Sequence, residues 1–286
     1  MELVVRVPGS CGELLQGWDE KGDPFLLTAP IDRYAAVTIR DDGRRARHIG
    51  AKGLAALQAV LAFFHVRDYP YSLYQTASLP AGKGMASSSA DIGAVIIGVA
   101  KSLGYTLSVR DVAALAASIE PTDGVFCPGL CQLNYLTGAI DRMYPVVPPL
   151  RIAIVDTGGT IDTVAFHASH EEETGHNQPS RGLSYIQKGS WSAATLAKAA
   201  TYSALDNQAF LYRKDVPSLY ERLATMGALG LNVAHSGTVI GVLFQATMPK
   251  ALIAQRVRSA LGQLKTTAQY RDTVSLISGG YTVTYR

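Results

Sequence analysis

The chain has 286 residues, 48% hydrophobic and 17% charged, with a net charge of +3. This composition fits a soluble globular protein of one large or two ordinary domains and excludes a disordered chain. The small basic excess is densest at Arg44, Arg45 and Arg47, directly after Asp41 and Asp42, which reads as a solvated hairpin tip, so no nucleic-acid partner is expected.

Taken in chain order, 3–7 and 35–40 are rich in β-branched residues and predict strands, and 71–76 alternates like a third. Apolar residues recur at helical spacing over 52–64. A long helix is predicted over 86–103, with Gly104 at the C-cap position. Ser108 can cap a second helix with Asp111 in its first turn, running to Glu120 and ended by Pro121. Pro145, Pro148 and Pro149 form the best linker, so the expected division is 1–147 and 148–286. Beyond it come a strand at 151–157, helices near 191–211, 216–226 and 249–262, and strands at 238–244 and 280–285. Strands and helices alternate without regular βαβ spacing, which predicts an α+β fold in two layers.

No run approaches the ~18 apolar residues that span a bilayer, and MELVVRVPGS is too short in apolar residues for a signal peptide, so no membrane partner is expected. Cys11, Cys127 and Cys131 are an odd, sparse set of the kind found in a reducing compartment, and the expected location is the cytoplasm.

The stretch LPAGKGMASSSAD (79–91) asks for a function. A flexible loop ending in a serine cap would account for one serine, hardly for three beside two glycines and a lysine. A Walker A loop is excluded because Gly84, not Ser or Thr, follows Lys83. A dinucleotide fingerprint is excluded because Ser87 stands where the third glycine belongs. The physics of anion binding is nevertheless present. Small residues let backbone N–H groups approach a phosphate, and the following helix directs its positive end at it.

This segment resembles the second motif of the GHMP kinase superfamily, with Pro80, Gly84, Ser87 and Ser88 in place, Met85 for the usual leucine and Ser89 for alanine. VPGSCGELLQGW (7–18) is similar to the family's first motif, a loop after a strand, and ALGLNVAHSGTVIGVLF (228–244) resembles the third, with fewer glycines. Together with ASIEPTDGV (117–125), the first motif looks like the branch that makes O-phosphothreonine for the aminopropanol arm of cobalamin. The resemblance implies an ATP- and Mg²⁺-dependent kinase with L-threonine as its small-molecule substrate. Another small-alcohol kinase, such as a homoserine kinase, and a non-catalytic binding protein are the alternatives. It further implies a ribosomal S5 domain 2-like N-terminal domain, a ferredoxin-like C-terminal domain with the site between them, and allows a homodimer.

By the same resemblance, ATP would lie on Pro80, Ala81, Gly82, Lys83, Gly84, Met85, Ala86, Ser87, Ser88, Ser89 and Ala90. Ser88 and Glu120 would hold the metal, and Lys83 would neutralise phosphate charge. Asp123 would accept the acceptor's proton or anchor its hydroxyl. Glu13, with Ser10, Cys11 and Gly12, would meet the acceptor, Glu13 facing its amino group. Two departures stand out. Glu120 and Asp123 are only three residues apart, a shorter interval than other members use, and Ser10 and Cys11 occupy a region where the family often has lysine.

Two other groupings carry less. His167, His170 and His176 surround three glutamates without a supporting cysteine, which reads as a solvated loop. Cys127 and Cys131 have no second pair to complete a zinc site and read as small core residues.

Overall fold

The protein is described here from a computed structural model, which covers residues 1–76, 79–160 and 179–286. The histidine-rich stretch lies outside the described residues. Two long strands, β1 (Glu2–Trp18) and β2 (Pro24–Arg40), pair antiparallel as the spine of the sheet. Leu3, Val5 and Val7 alternate inward, which is why the start of β1 is readable as a strand. Its continuation was expected as a loop. Residues 7–16 are instead all buried, so both faces are covered and the period-two signal disappears. The ladder also slips between Pro8 and Ser10, Ser10 and Glu13, and Glu13 and Leu15, so the strand is bulged where the first motif lies.

β3 (Arg47–His48) and β4 (Ser72–Thr76) extend this half of the sheet. α2 (Ser87–Ser102) packs on β1 and β2, α1 (Ala51–Phe63) packs on α2, and α2 is buried from Ser89 through Ala100 apart from Asp91. α3 (Val109–Ala117) begins in the predicted capping box of Ser108 and Asp111. It ends three residues short of Glu120. A proline at 121 disfavours helical geometry at the preceding residue, so Glu120 and Asp123 sit in the turn that follows. Two short strands not anticipated from the sequence, β5 (Leu130–Leu133) and β6 (Ile140–Tyr144), continue from β2.

The second half comprises β7 (Leu150–Asp156), β8 (Gly230–Val233), β9 (Val239–Gln245) and β10 (Gln269–Ser275). Their spatial order is β10-β7-β9-β8, all antiparallel. Helices α4 (Arg181–Lys188) and α5 (Ala193–Asp206) separate β7 from β8, and a helix at Lys250–Gly262 separates β9 from β10. That is the βαββαβ arrangement of a ferredoxin-like unit. The helix expected at 216–226 is two short ones, Asp215–Tyr220 and Leu223–Met226, and the one at 191–211 tightens to a 3₁₀ turn after Asp206.

The two halves share one sheet. Glu13 of β1 pairs with Val233 of β8, and β11 (Thr282–Tyr285) returns to pair with Leu3–Arg6. Cys11, Cys127 and Cys131 are buried and free, as small core residues. No helix among the described residues is long and apolar enough to cross a membrane.

Candidate active site

The three sequence motifs, far apart in the chain, meet backbone to backbone. Ser10 N–H donates to the Met85 carbonyl (2.9 Å) and Gly12 N–H to Gly84 (3.1 Å). On the other side, Thr238 and Val239 N–H both donate to the Lys83 carbonyl (3.0 and 3.1 Å). The approach is close enough to require glycine. A Cβ on Gly84, whose φ is +79°, would stand 2.2 Å from the Ala234 Cβ. The 234–238 loop is held in turn by buried Arg213, which donates to the Ala234 (2.6 Å) and Gly237 (2.8 Å) carbonyls.

The loop then turns into α2 at Ala86, whose φ of 52° is left-handed. For a residue with a Cβ this costs roughly 1–2 kcal/mol, strain of a kind that gathers at functional sites. None of the three serines caps the helix: the N-cap is Ala86 and no side chain bonds to the first turn. A simple capping role for the serines is therefore excluded. The Ser88 and Ser89 hydroxyls have other partners, and all three serines line a cavity of about 700 Å³, with Ala81, Gly82, Gly84, Glu13, Glu120 and Asp123 among its other walls.

Ser88 Oγ donates to Glu120 Oε1, and the second Glu120 oxygen lies 2.5 Å from the Lys52 ammonium. The Glu120 side chain is only 9% exposed, so Lys52 satisfies a charge that burial makes costly. Among the described residues no cluster of three His, Cys, Asp or Glu side chains could hold a metal. The Ser88–Glu120 pair still suits Mg²⁺, which prefers hard oxygens and takes few protein ligands beside substrate phosphates and water.

Next along α2, Ser89 Oγ donates to Asp123 Oδ2 (3.0 Å) and accepts the Asp123 N–H (3.0 Å), tying that residue at both its side chain and its backbone. Burial pushes the Asp123 carboxyl up to about 6, helped by the charge of Glu120 and opposed by the Ser89 and Glu13 hydrogen bonds. Glu13 is raised well above the usual carboxylate range, first by burial and then by the charge of Asp123. It is 4% exposed, and its Oε2 has no hydrogen-bond partner. Ser10 Oγ is buried and unpartnered too, and Thr28, opposite Glu13 in the β1–β2 ladder, counters the rise of the Glu13 carboxyl through its hydroxyl.

The other expected residues fall into place differently. Ser10 and Gly12 act through backbone contacts rather than as cavity walls. The Cys11 thiol is buried and pushed up to about 12, chiefly by burial, which removes nucleophilic character. Ala90 is buried inside α2, and Pro80 lies outside the cavity lining. Lys83 does not line the cavity: its ammonium lies on Asp156 at the end of β7.

Sequence reasoning did not reach Lys52, Asp91, Tyr135, His235 or Ser236, all of which line the cavity. Lys52 carried one signal, a cation in the first turn of a helix, where the dipole favours acids. His235 is oriented by Gln16, whose Oε1 meets Nδ1 at 2.8 Å while its amide nitrogen donates to the Val233 carbonyl. An amide oxygen can only accept, so Nδ1 carries the proton.

The GHMP kinase N-terminal domain model matches residues 52–128. An L-threonine kinase of Citrobacter freundii is 30% identical over 251 residues, covering 84% of this chain and 85% of its own. One of Salmonella typhimurium is 28% identical over 292 residues, covering 97% and 94%. A homoserine kinase structure from Cytophaga hutchinsonii superposes with a TM-score of 0.69 at 14% identity, covering 99% of this chain and 97% of its own. The mevalonate kinase of Methanococcus jannaschii gives 0.66 at 11% identity, covering 96% and 98%. Three motifs joined around one cavity, a ferredoxin-like second half and these likenesses lead to one conclusion: the chain belongs to the GHMP kinase family.

Proposed function

We propose that this protein transfers the γ-phosphoryl group of ATP to the side-chain hydroxyl of L-threonine, giving O-phospho-L-threonine and ADP, in the service of the aminopropanol arm of adenosylcobalamin. The observation that carries an amino-acid acceptor is Glu13. Glu13 lines the cavity and one of its buried carboxyl oxygens, Oε2, has no hydrogen-bond partner; the ammonium of an amino acid would supply a donor to it and a charge that favours its ionised form. The L-threonine kinase relatives, matched over most of the chain, support threonine over homoserine.

In this reading the backbone of Gly82 and Gly84–Ser87 and the start of α2 receive the phosphates. Ser88 and Glu120 would hold Mg²⁺, which would supply positive charge to offset that of the phosphates. Asp123, fixed by Ser89, accepts the threonine hydroxyl proton, and its raised pKa still leaves it ionised at neutral pH. Glu13 orients the ammonium so that the hydroxyl lies in line.

An ADP-release assay over L-threonine, L-serine, L-homoserine and mevalonate tests the acceptor, with threonine expected to give the highest kcat/KM. Glu13→Gln should raise the threonine KM roughly tenfold or more, the scale of losing one partner of a buried charge pair. An unchanged KM would remove Glu13 from the acceptor site.

A further inference from the structure

Lys83 belongs to the phosphate loop, yet its charge is already engaged. The ammonium lies 3.0 and 3.2 Å from the two Asp156 oxygens and donates to the Gly159 carbonyl at 2.6 Å. Asp156 is 5% exposed and also accepts from Thr238 Oγ1 (2.8 Å), Gly158 N–H (3.0 Å) and Arg271 (3.0 Å). Thr238 appears twice in this node, since its N–H bonds to the Lys83 carbonyl as well. Lys83 is therefore gripped at both its backbone and its side chain by the second half of the protein.

We infer that Asp156 anchors the nucleotide loop through Lys83, and that Lys83 is a positioning residue whose charge serves Asp156 and not the phosphates. A loop with left-handed Gly82, Gly84 and Ala86 loses more conformational freedom on ordering than ordinary chain. Fixing one of its residues before the nucleotide arrives lowers that cost at the moment of binding. The Asp156 carboxyl, held down at about 2 by these donors against the opposing effect of burial, remains charged and able to anchor at any physiological pH.

The test is a double-mutant cycle of Lys83→Met and Asp156→Asn, reading the Kd for ATP by calorimetry without acceptor, then kcat with threonine. Measuring ATP alone keeps the answer independent of which hydroxyl is phosphorylated. Each single change should weaken ATP by a similar factor of roughly 3–30 with kcat altered less than about threefold, and the double variant should be no weaker than the worse single. Lys83→Arg, which keeps the ion pair, should restore most of the affinity. Additive losses, a kcat collapse in Lys83→Met alone, or tighter ATP binding in Asp156→Asn would each overturn the inference, because they indicate a lysine that works on phosphate. If Asp156→Asn does not fold, Thr238→Val removes another donor to the same carboxylate and takes its place in the cycle, with the same two readings.

Discussion

Asp123→Asn in the ligand-free protein offers a test of the buried carboxylates that does not depend on catalysis. Asparagine has nearly the shape of a protonated aspartate, and its oxygen can still accept from Ser89. The Asp123 carboxyl is pushed from its ordinary 3.8 to about 6, with burial the main cause. A group whose folded pKa lies above its unfolded one favours the folded state below the unfolded value and loses that contribution as pH rises through the folded value. At about 1.4 kcal/mol per pH unit, wild type should lose on the order of 3 kcal/mol between pH 4 and 8 that the asparagine variant keeps. Removing the Asp123 charge also relieves Glu13, which acts in the same direction. Any fixed cost of burying the asparagine amide cancels when the two proteins are compared at two pH values. Thermal unfolding at constant ionic strength should therefore find the Tm of the variant, relative to wild type, rising by about 5 °C or more from pH 4.5 to pH 8. A gap that stays constant, or narrows toward pH 8, would refute the claim that ionised Asp123 is held at a cost.

Ser88→Ala and Glu120→Gln should each cut Mg²⁺-dependent turnover by roughly 10²-fold while leaving the threonine KM within a few-fold, since the proposed function assigns both to the metal and phosphates and not to the acceptor. Steady-state kinetics at saturating Mg²⁺-ATP check this, and a variant with normal kcat would leave the metal shell. Gly84→Ala should destabilise the protein by about 3 kcal/mol or more and weaken ATP, because φ of +79° and a contact of 2.2 Å to Ala234 leave no room for a methyl group. Chemical denaturation reads the first effect and calorimetry the second.

What was legible in the sequence was what local chemistry determines. Ser108 and Asp111 announce α3 because a capping box is complete within four residues. The serine-rich loop is legible because glycines and hydroxyls cluster in consecutive positions. Residues 8–16 did not read as strand, since burial on both faces erases alternation and a bulged ladder looks like a loop. The polar strand QYRDTVS at β10 has too few apolar positions to betray itself. Among site residues, Glu13 and Asp123 could each be picked out, but their mutual influence depends on a topology that brings β1 beside the turn after α3. Lys52 was invisible for the same reason: its partner Glu120 lies in another element. The role expected of Lys83 rested on its loop alone, whereas its ammonium bonds to a residue 73 positions away.

The shared sheet and the joined motifs bear on how the enzyme can move. Hinged kinases close two bodies around their substrates by bending a connector that lies apart from the chemistry. Here the seam between the halves runs along the candidate site, through Glu13–Val233 and Lys83–Thr238. Opening along that seam would dismantle the phosphate loop. On the proposed reading, a scaffold joined in this way assigns the entry and exit of substrates to side chains and peripheral loops. Substitutions that loosen the packing of the ferredoxin-like half, even far from the cavity, would then register first as weakened nucleotide affinity and only later as loss of fold.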